Sequence, residues 1–305
     1  MTRATHAAEP ATAPAPTAAP AGRIVHVGAL PQGIVYDATS HLVAVAVQKP
    51  DRLLLLDPST LAVRRSVPLP GSVRHLQLAR VGDTVLVPVE TSNQLVQVAV
   101  PSGRTTATDV LKQPHDAAGL SNGDIAVGDE FGRALSIIRD GKVIKTFRDL
   151  EQPGGVVADG STVVVVDVRA FSVSTYDLTT MRRTAQLPAG AGPTHGVLVG
   201  HHRIAVADTR GNQVLIFDDA PLRRVGRLAL PGTPYGMAVD PSTGLVWVTL
   251  TARNQLVGIR VGAGRPKIVA RYDTVRQPDT VAVQPGSHTL FVTGTDSGVV
   301  ERIER

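Results

Sequence analysis

The 305-residue chain has no cysteine, which excludes disulfides, thiolate nucleophiles and cysteine-based metal sites. Aromatic residues are scarce: one Trp, four Tyr and five Phe. Packing must therefore fall to Val, Leu, Ile and Ala. No stretch carries a helical apolar period long enough to compete with strand signals, and no apolar run is long enough to span a bilayer. Compact basic runs are also missing. The formal charge of +5 comes from 31 basic residues scattered against 26 acidic ones, and the densest groupings are the pairs Arg64-Arg65, Arg182-Arg183 and Arg223-Arg224. Without stacking aromatics beside that charge, nucleic acid is not the expected partner. The arginine pairs read as a solvated rim.

What is present is repetition. A Pro- or Gly-punctuated start, a short apolar strand, a turn, a Val-rich strand, a loop and a third strand recur from Pro31, Val73, Pro114, Pro153, Pro193, Pro234 and Pro278, at spacings of 39 to 44 residues. That period predicts an all-β, seven-bladed β-propeller over residues 23–305, one domain despite its length. The last repeat has room for only three strands. Arg23-Ile24-Val25-His26-Val27 is the expected fourth, closing the ring by joining both chain ends in one blade and removing an open sheet edge. Residues 1–22 are rich in Ala, Thr and Pro and lack both a basic n-region and an apolar h-region, so they read as a disordered tether. Such a tether after a removed export signal would place the ring in the cell envelope; with no such signal the protein would be cytoplasmic. A closed ring of this kind is expected to be a monomer.

In a propeller the first strand of each blade lines the channel and the second runs back, so the start of one and the end of the other emerge on the same face. The first-strand starts supply Arg74-His75, His115-Asp116, Thr194-His195, Tyr235-Gly236 and Asp279-Thr280; the return strands end at Gln48, Glu90, Asp129-Glu130, Asp167 and Asp208. Imidazoles and carboxylates from distant repeats thus converge on one mouth. His75, His115, His195, Asp116, Tyr235, Glu90, Asp129, Asp167 and Asp208 are the expected ligand-binding set. Of these, His75, His115, His195 and Asp116 suit a divalent metal, since imidazole with carboxylate fits Zn²⁺ and related ions. Three alternatives stay open: a small-molecule or protein partner bound at the mouth without chemistry, a metal-dependent enzyme using an imidazole as general base, or polar groups that merely line a wet channel. Asp129, Asp167 and Asp208 would brace loops by accepting N–H bonds or pair with Arg133, Arg169 and Arg210. His201-His202 falls in a hairpin turn on the opposite face, away from the mouth. Gly119-Leu120-Ser121-Asn122-Gly123 matches a nucleophile-elbow pattern but not its strand-to-helix setting.

The loops carry a resemblance. Trp247-Val248-Thr249 and Phe291-Val292-Thr293-Gly294 resemble the Tyr-Val-Thr-Asn tetrad. Ser92-Asn93-Gln94-Leu95-Val96, Gly211-Asn212-Gln213-Val214-Leu215 and Arg253-Asn254-Gln255-Leu256-Val257 resemble the segment that follows it. Leu56-Asp57-Pro58-Ser59-Thr60 and Tyr176-Asp177-Leu178-Thr179-Thr180 resemble its Asp-turn. The chain is therefore similar to the YncE-like, YVTN-family seven-bladed propellers, except that blades 3 and 4 put acids in the tetrad. That resemblance implies the fold, and often an exported bacterial protein, with binders, lyases and lactonases all found on the same scaffold.

Overall fold

In the computed structural model, which describes residues 6–79, 83–262 and 264–305, the chain forms seven four-stranded antiparallel sheets around a central channel. Blades 3 to 7 begin at the predicted Pro114, Pro153, Pro193, Pro234 and Pro278, blade 1 one residue late at Gln32, and blade 2 four residues late, at Gln77 rather than Val73. Blade 3, for example, runs Pro114–Gly119, Ile125–Asp129, Ala134–Arg139 and Lys142–Phe147. Among the described residues the only helical element is a 3₁₀ turn at Thr251–Arg253.

The ring closes as expected. Arg23–His26 pairs antiparallel with Val299–Ile303, in the register Arg23 to Arg302 through His26 to Val299, and completes the sheet begun by Pro278–Gln284. Glu301, wholly buried on that closing sheet, accepts hydrogen bonds from the N–H groups of Gly22 (2.7 Å) and Val275 (3.0 Å) and from the Thr274 hydroxyl. One carboxylate thereby ties the N-terminal strand, the last blade and the loop leaving blade 6.

The core lies between blades. Blades 1 and 2 share Ala44, Ala46, Leu53, Leu55, Val85 and Val87; blades 4 and 5 share Val164, Val166, Val173, Ile204, Val206 and Leu215. Small branched side chains at strand period give two flat apolar faces that can stack without large rings. Outer strands are solvated, and the arginine pairs decorate them: Arg64 lies 2.8 Å from Asp57 and Arg223 2.6 Å from Asp218.

Asn93, Asn212 and Asn254 each adopt a left-handed backbone just before the third strand of a blade. Their side chains do more than tolerate the turn. Asn93 Oδ1 accepts the N–H of Gln113, Asn212 that of Gly232 and Thr233, and Asn254 that of Gln277. Each asparagine therefore fastens one blade to the loop that starts the next.

Residues 6–22, whose composition alone suggests a tether, run over blades 5, 6 and 7 on the mouth face. Ala11 N–H donates to Thr251 Oγ1 (3.0 Å), Ala13 N–H to Gln277 Oε1 (2.7 Å), Asn254 Nδ2 to the Pro14 carbonyl (3.0 Å), and Arg210 to the carbonyls of His6 and Ala7. Ala8 and Ala13 are buried.

Candidate functional site

The mouth owes its side chains to a repeated irregularity. In six blades the ladder between first and second strands shifts register just after the strand begins: at Gln32/Ile34, Pro114/Asp116, Pro153/Gly155, Pro193/Gly196, Pro234/Met237 and Pro278/Val281. A bulge leaves its extra residue unpaired and re-aims the side chain. His115, His195, Tyr235 and Asp279 all sit within these bulges. In blade 2 the regular first strand shrinks to Gln77–Leu78, and Arg74 and His75 lie in the irregular backbone before it. At blade 6 the backbone approach is close: a Cβ at Gly236 would fall 2.0 Å from the Asp279 carbonyl oxygen, so glycine is needed where neighbouring first strands meet.

His75, His115 and His195 come together. They are 9%, 5% and 7% exposed, and one ring nitrogen from each lies within 4.8 Å of the others. His195 Nε2 is 2.9 Å from His75 Nε2. The accepting ring of that pair must be neutral, and burial favours the neutral form of both: it pushes His75 well below the ordinary histidine value and, together with His115, pushes His195 to about 3. His195 Nδ1 is buried with no hydrogen-bond partner. The Tyr235 ring meets the His195 ring edge-on at 4.5 Å.

His115 differs. Its Nδ1 lies 3.0 Å from Glu90 and 3.3 Å from Glu130, and Arg74 bridges the same two carboxylates at 2.6 and 2.7 Å. Gln152 donates to the other Glu130 oxygen. Burial and Arg74 oppose protonation of His115, but the glutamates outweigh them and raise its pKa. Burial likewise works against the Glu130 anion, yet the His115 hydrogen bond and the nearby charges hold it at about 2. Asp279 belongs to the same field, and burial lifts it to about 7.

Asp116 reaches the neighbouring cavity but not the imidazole nitrogens. Its oxygens accept the N–H groups of Ala117 and Val156, burial raises it to about 6, and with His75 and His195 it lines a cavity of about 50 Å³. Asp129, Asp167 and Asp208 stand apart from the cluster. Asp129 accepts from Ser136 and the Leu111 N–H, Asp167 from the N–H groups of Glu151, Gln152 and Ala170, and Asp208 from those of Ala191, Gly192 and Gly211. The pairing of these acids with Arg133, Arg169 and Arg210 is absent among the described residues. Backbone N–H groups take the place of the guanidiniums, and Arg210 instead holds the N-terminal segment.

The imidazoles and the charged side chains that contact them are gathered at the mouth. Farther down, the channel widens to about 300 Å³ lined mainly by apolar first-strand residues such as Val35, Leu78, Val157, Val197, Met237 and Val283. Over the mouth, Ala7, Ala8 and Glu9 lie against Arg74, His115, Glu130, His195 and Tyr235, leaving about 20 Å³ beneath them. The repeat column contains Arg74, Glu130 and Asp279, but only pairing across blades reveals their roles. Coverage by residues 7–9 had no signal in the sequence.

The molecule is thus a seven-bladed propeller with a buried three-imidazole mouth. No protein-family model and no curated protein sequence matches the chain. Among solved structures it is similar to a streptogramin B lyase (15% identity, 91% of this chain and 94% of that one, TM-score 0.77) and to virginiamycin B lyase from Staphylococcus aureus (12%, 93% and 99%, TM-score 0.77). It is equally similar to a chain of Kuenenia stuttgartiensis hydrazine synthase (17%, 92% and 98%, TM-score 0.78). At these identities the likeness establishes the fold alone.

Proposed function

We propose that the mouth is a divalent-metal centre through which the propeller binds a small ligand bearing metal-coordinating oxygen or nitrogen donors. The observation that carries this is the convergence of three buried imidazoles, with His115 Nδ1 held by Glu90 and Glu130. A metal-ligating histidine commonly gives its other ring nitrogen to a carboxylate, which fixes the tautomer and leaves the remaining nitrogen for the ion. His75 and His195 are kept neutral, the form a metal requires. Three imidazoles with an open position suit Zn²⁺ or Co²⁺ better than Mg²⁺, which prefers oxygen. The YVTN-like loops support membership of that propeller family, and the asparagine staples give those motifs a physical role.

This is a binding function first. A catalytic version of the same centre is favoured by one observation: Asp279, in the field of His115, is lifted by burial to about 7, where a general acid or base works best. Two fold relatives are lyases by name, which makes elimination or lactone opening the reaction class to assay. Asp279→Asn, which spares the imidazoles, separates the readings by abolishing turnover while leaving metal in place.

Calorimetric titration with Co²⁺ or Zn²⁺ tests the proposal. Wild type takes up metal at the mouth, and the His75→Ala/His195→Ala variant loses that equivalent while keeping its strand signature in circular dichroism. Unchanged uptake by the double variant contradicts it.

A further inference from the structure

We propose that Asp159, His202 and Asp219 form a second divalent-metal site, on the face opposite the mouth and across the seam of blades 4 and 5. The three residues come from separate segments. Asp159 ends the first strand of blade 4 (Pro153–Asp159), His202 lies in the turn between Pro193–Leu198 and Arg203–Asp208, and Asp219 ends Gln213–Asp219. Pro153, at the other end of the first of these strands, is at the mouth, so a seven-residue strand, roughly 20 Å at ~3.3 Å per residue, separates the two centres.

The donor atoms lie close enough to share one ion. His202 Nδ1 lies 3.2 Å from Asp219 Oδ1 and 3.3 Å from Asp159 Oδ2, and the three donor atoms fall within 4.8 Å of one another. Tetrahedral zinc, with bonds of about 2.0–2.2 Å to nitrogen and oxygen, sets neighbouring donors about 3.3–3.5 Å apart. The backbone fixes the arrangement: His202 has a left-handed φ of 59°, and its own N–H donates to Asp159 at 2.7 Å.

A separate observation points to a missing cation. Asp219 Oδ2 is buried with no hydrogen-bond partner, on a side chain with no exposed surface. An uncompensated carboxylate oxygen in that position is costly. Burial and then the charge of Asp159 raise the Asp219 pKa, so the two acids repel. No arginine or lysine relieves them among the described residues, because Arg203 and Arg223 both pair with Asp218, at 3.2 and 2.6 Å. A protonated His202 would serve one carboxylate fully through a single Nδ1–H and still leave Oδ2 bare. A metal ion accepts all three groups. The His202 side chain is 64% exposed, which gives an ion a route from solvent and leaves a fourth position to water. An ion here would clip the end of one blade to the hairpin of the next and raise the stability of the folded ring.

Two measurements on the full chain test the site, with zinc ion as the probe at micromolar concentration. Anomalous diffraction at the zinc edge from wild-type crystals is expected to give a peak about 2.0–2.2 Å from His202 Nδ1 and from oxygens of Asp159 and Asp219. In solution, Asp219→Asn and His202→Gln are each expected to remove one zinc equivalent, or weaken it at least ~10-fold, and to shrink the zinc-induced rise in unfolding temperature. The mouth equivalent, identified by its loss in His75→Ala/His195→Ala, stays. Asp219→Asn removes a repelled charge at nearly constant shape, so its metal-free unfolding temperature is expected to equal or exceed that of wild type. Zinc stoichiometry and thermal shift unaltered in both variants, or anomalous density at the mouth only, overturns the proposal. Should either variant fail to fold, the wild-type map decides.

Discussion

Arg74 holds two buried glutamates together, and both contact His115, so charge at the mouth is balanced in pairs rather than neutralised by water. Asp279 has no such dedicated cation, which is why burial dominates and lifts it to about 7. A carboxyl whose folded pKa exceeds its unfolded value of about 3.9 contributes stability that is full below that value and is lost as pH rises through about 7. Asp279→Asn is therefore expected to stabilise the ring by up to about 4 kcal/mol at pH 8 and by almost nothing at pH 4. Urea unfolding of both proteins at the two pH values checks this; an equal difference at both would contradict the assignment. His75, His115 and His195 were legible as neighbours from the repeat alone. The sorting of the acids was not. In register, Asp129, Asp167 and Asp208 align with Val89, one residue before Glu90 and its counterpart Glu130; successive side chains alternate in direction, so the first set turns into its own loop and the second toward the mouth, an offset of one residue that the repeat spacing does not resolve.

At the scale of elements, bulges turn a strand end into a ligand-bearing loop. The Pro-X-X starts at Pro114, Pro193, Pro234 and Pro278 mark them, since proline cannot donate to the ladder and a shift of register follows. The sequence revealed the prolines but not the shift, because a bulge is a relation between two strands. The N-terminal segment is the other case. Ala, Thr and Pro give it no apolar period, and its place over the mouth rests on hydrogen bonds to Thr251, Asn254 and Gln277 that no local pattern announces. With residues 7–9 over the imidazoles and about 20 Å³ beneath, an ion approaching the proposed centre from the mouth side must wait for this strap to lift. Deleting residues 2–19 is expected to speed Co²⁺ association at least ~10-fold, corresponding to ~1.4 kcal/mol of closure, with little change in thermal stability. Stopped-flow absorbance measures it, and unchanged rates would show that the strap does not gate the mouth.

For the whole molecule, closure is what gathers imidazoles from blades 2, 3 and 5 at one opening. The fold, its seven blades and its closing strand follow from periodicity and from the shortage of strands in the last repeat; Glu301, which ties that closure, gave no sign because a lone glutamate in a strand reads as solvated. Removing residues 1–30 strips Arg23–His26 from Val299–Ile303 and bares an apolar edge. The expected loss is several kcal/mol, on the order of one per ladder hydrogen bond, read as a lower denaturant midpoint with aggregation at its foot. A midpoint equal to that of the full chain would mean the ring does not depend on its clasp.

The three imidazoles are proposed to act as one metal centre. Cobalt X-ray absorption on the Asp219→Asn protein, loaded with a single equivalent so that the opposite face does not contribute, tests this most directly. The predicted spectrum contains the scattering of three imidazole rings around a four- or five-coordinate ion. A shell of oxygen donors without imidazole would contradict it.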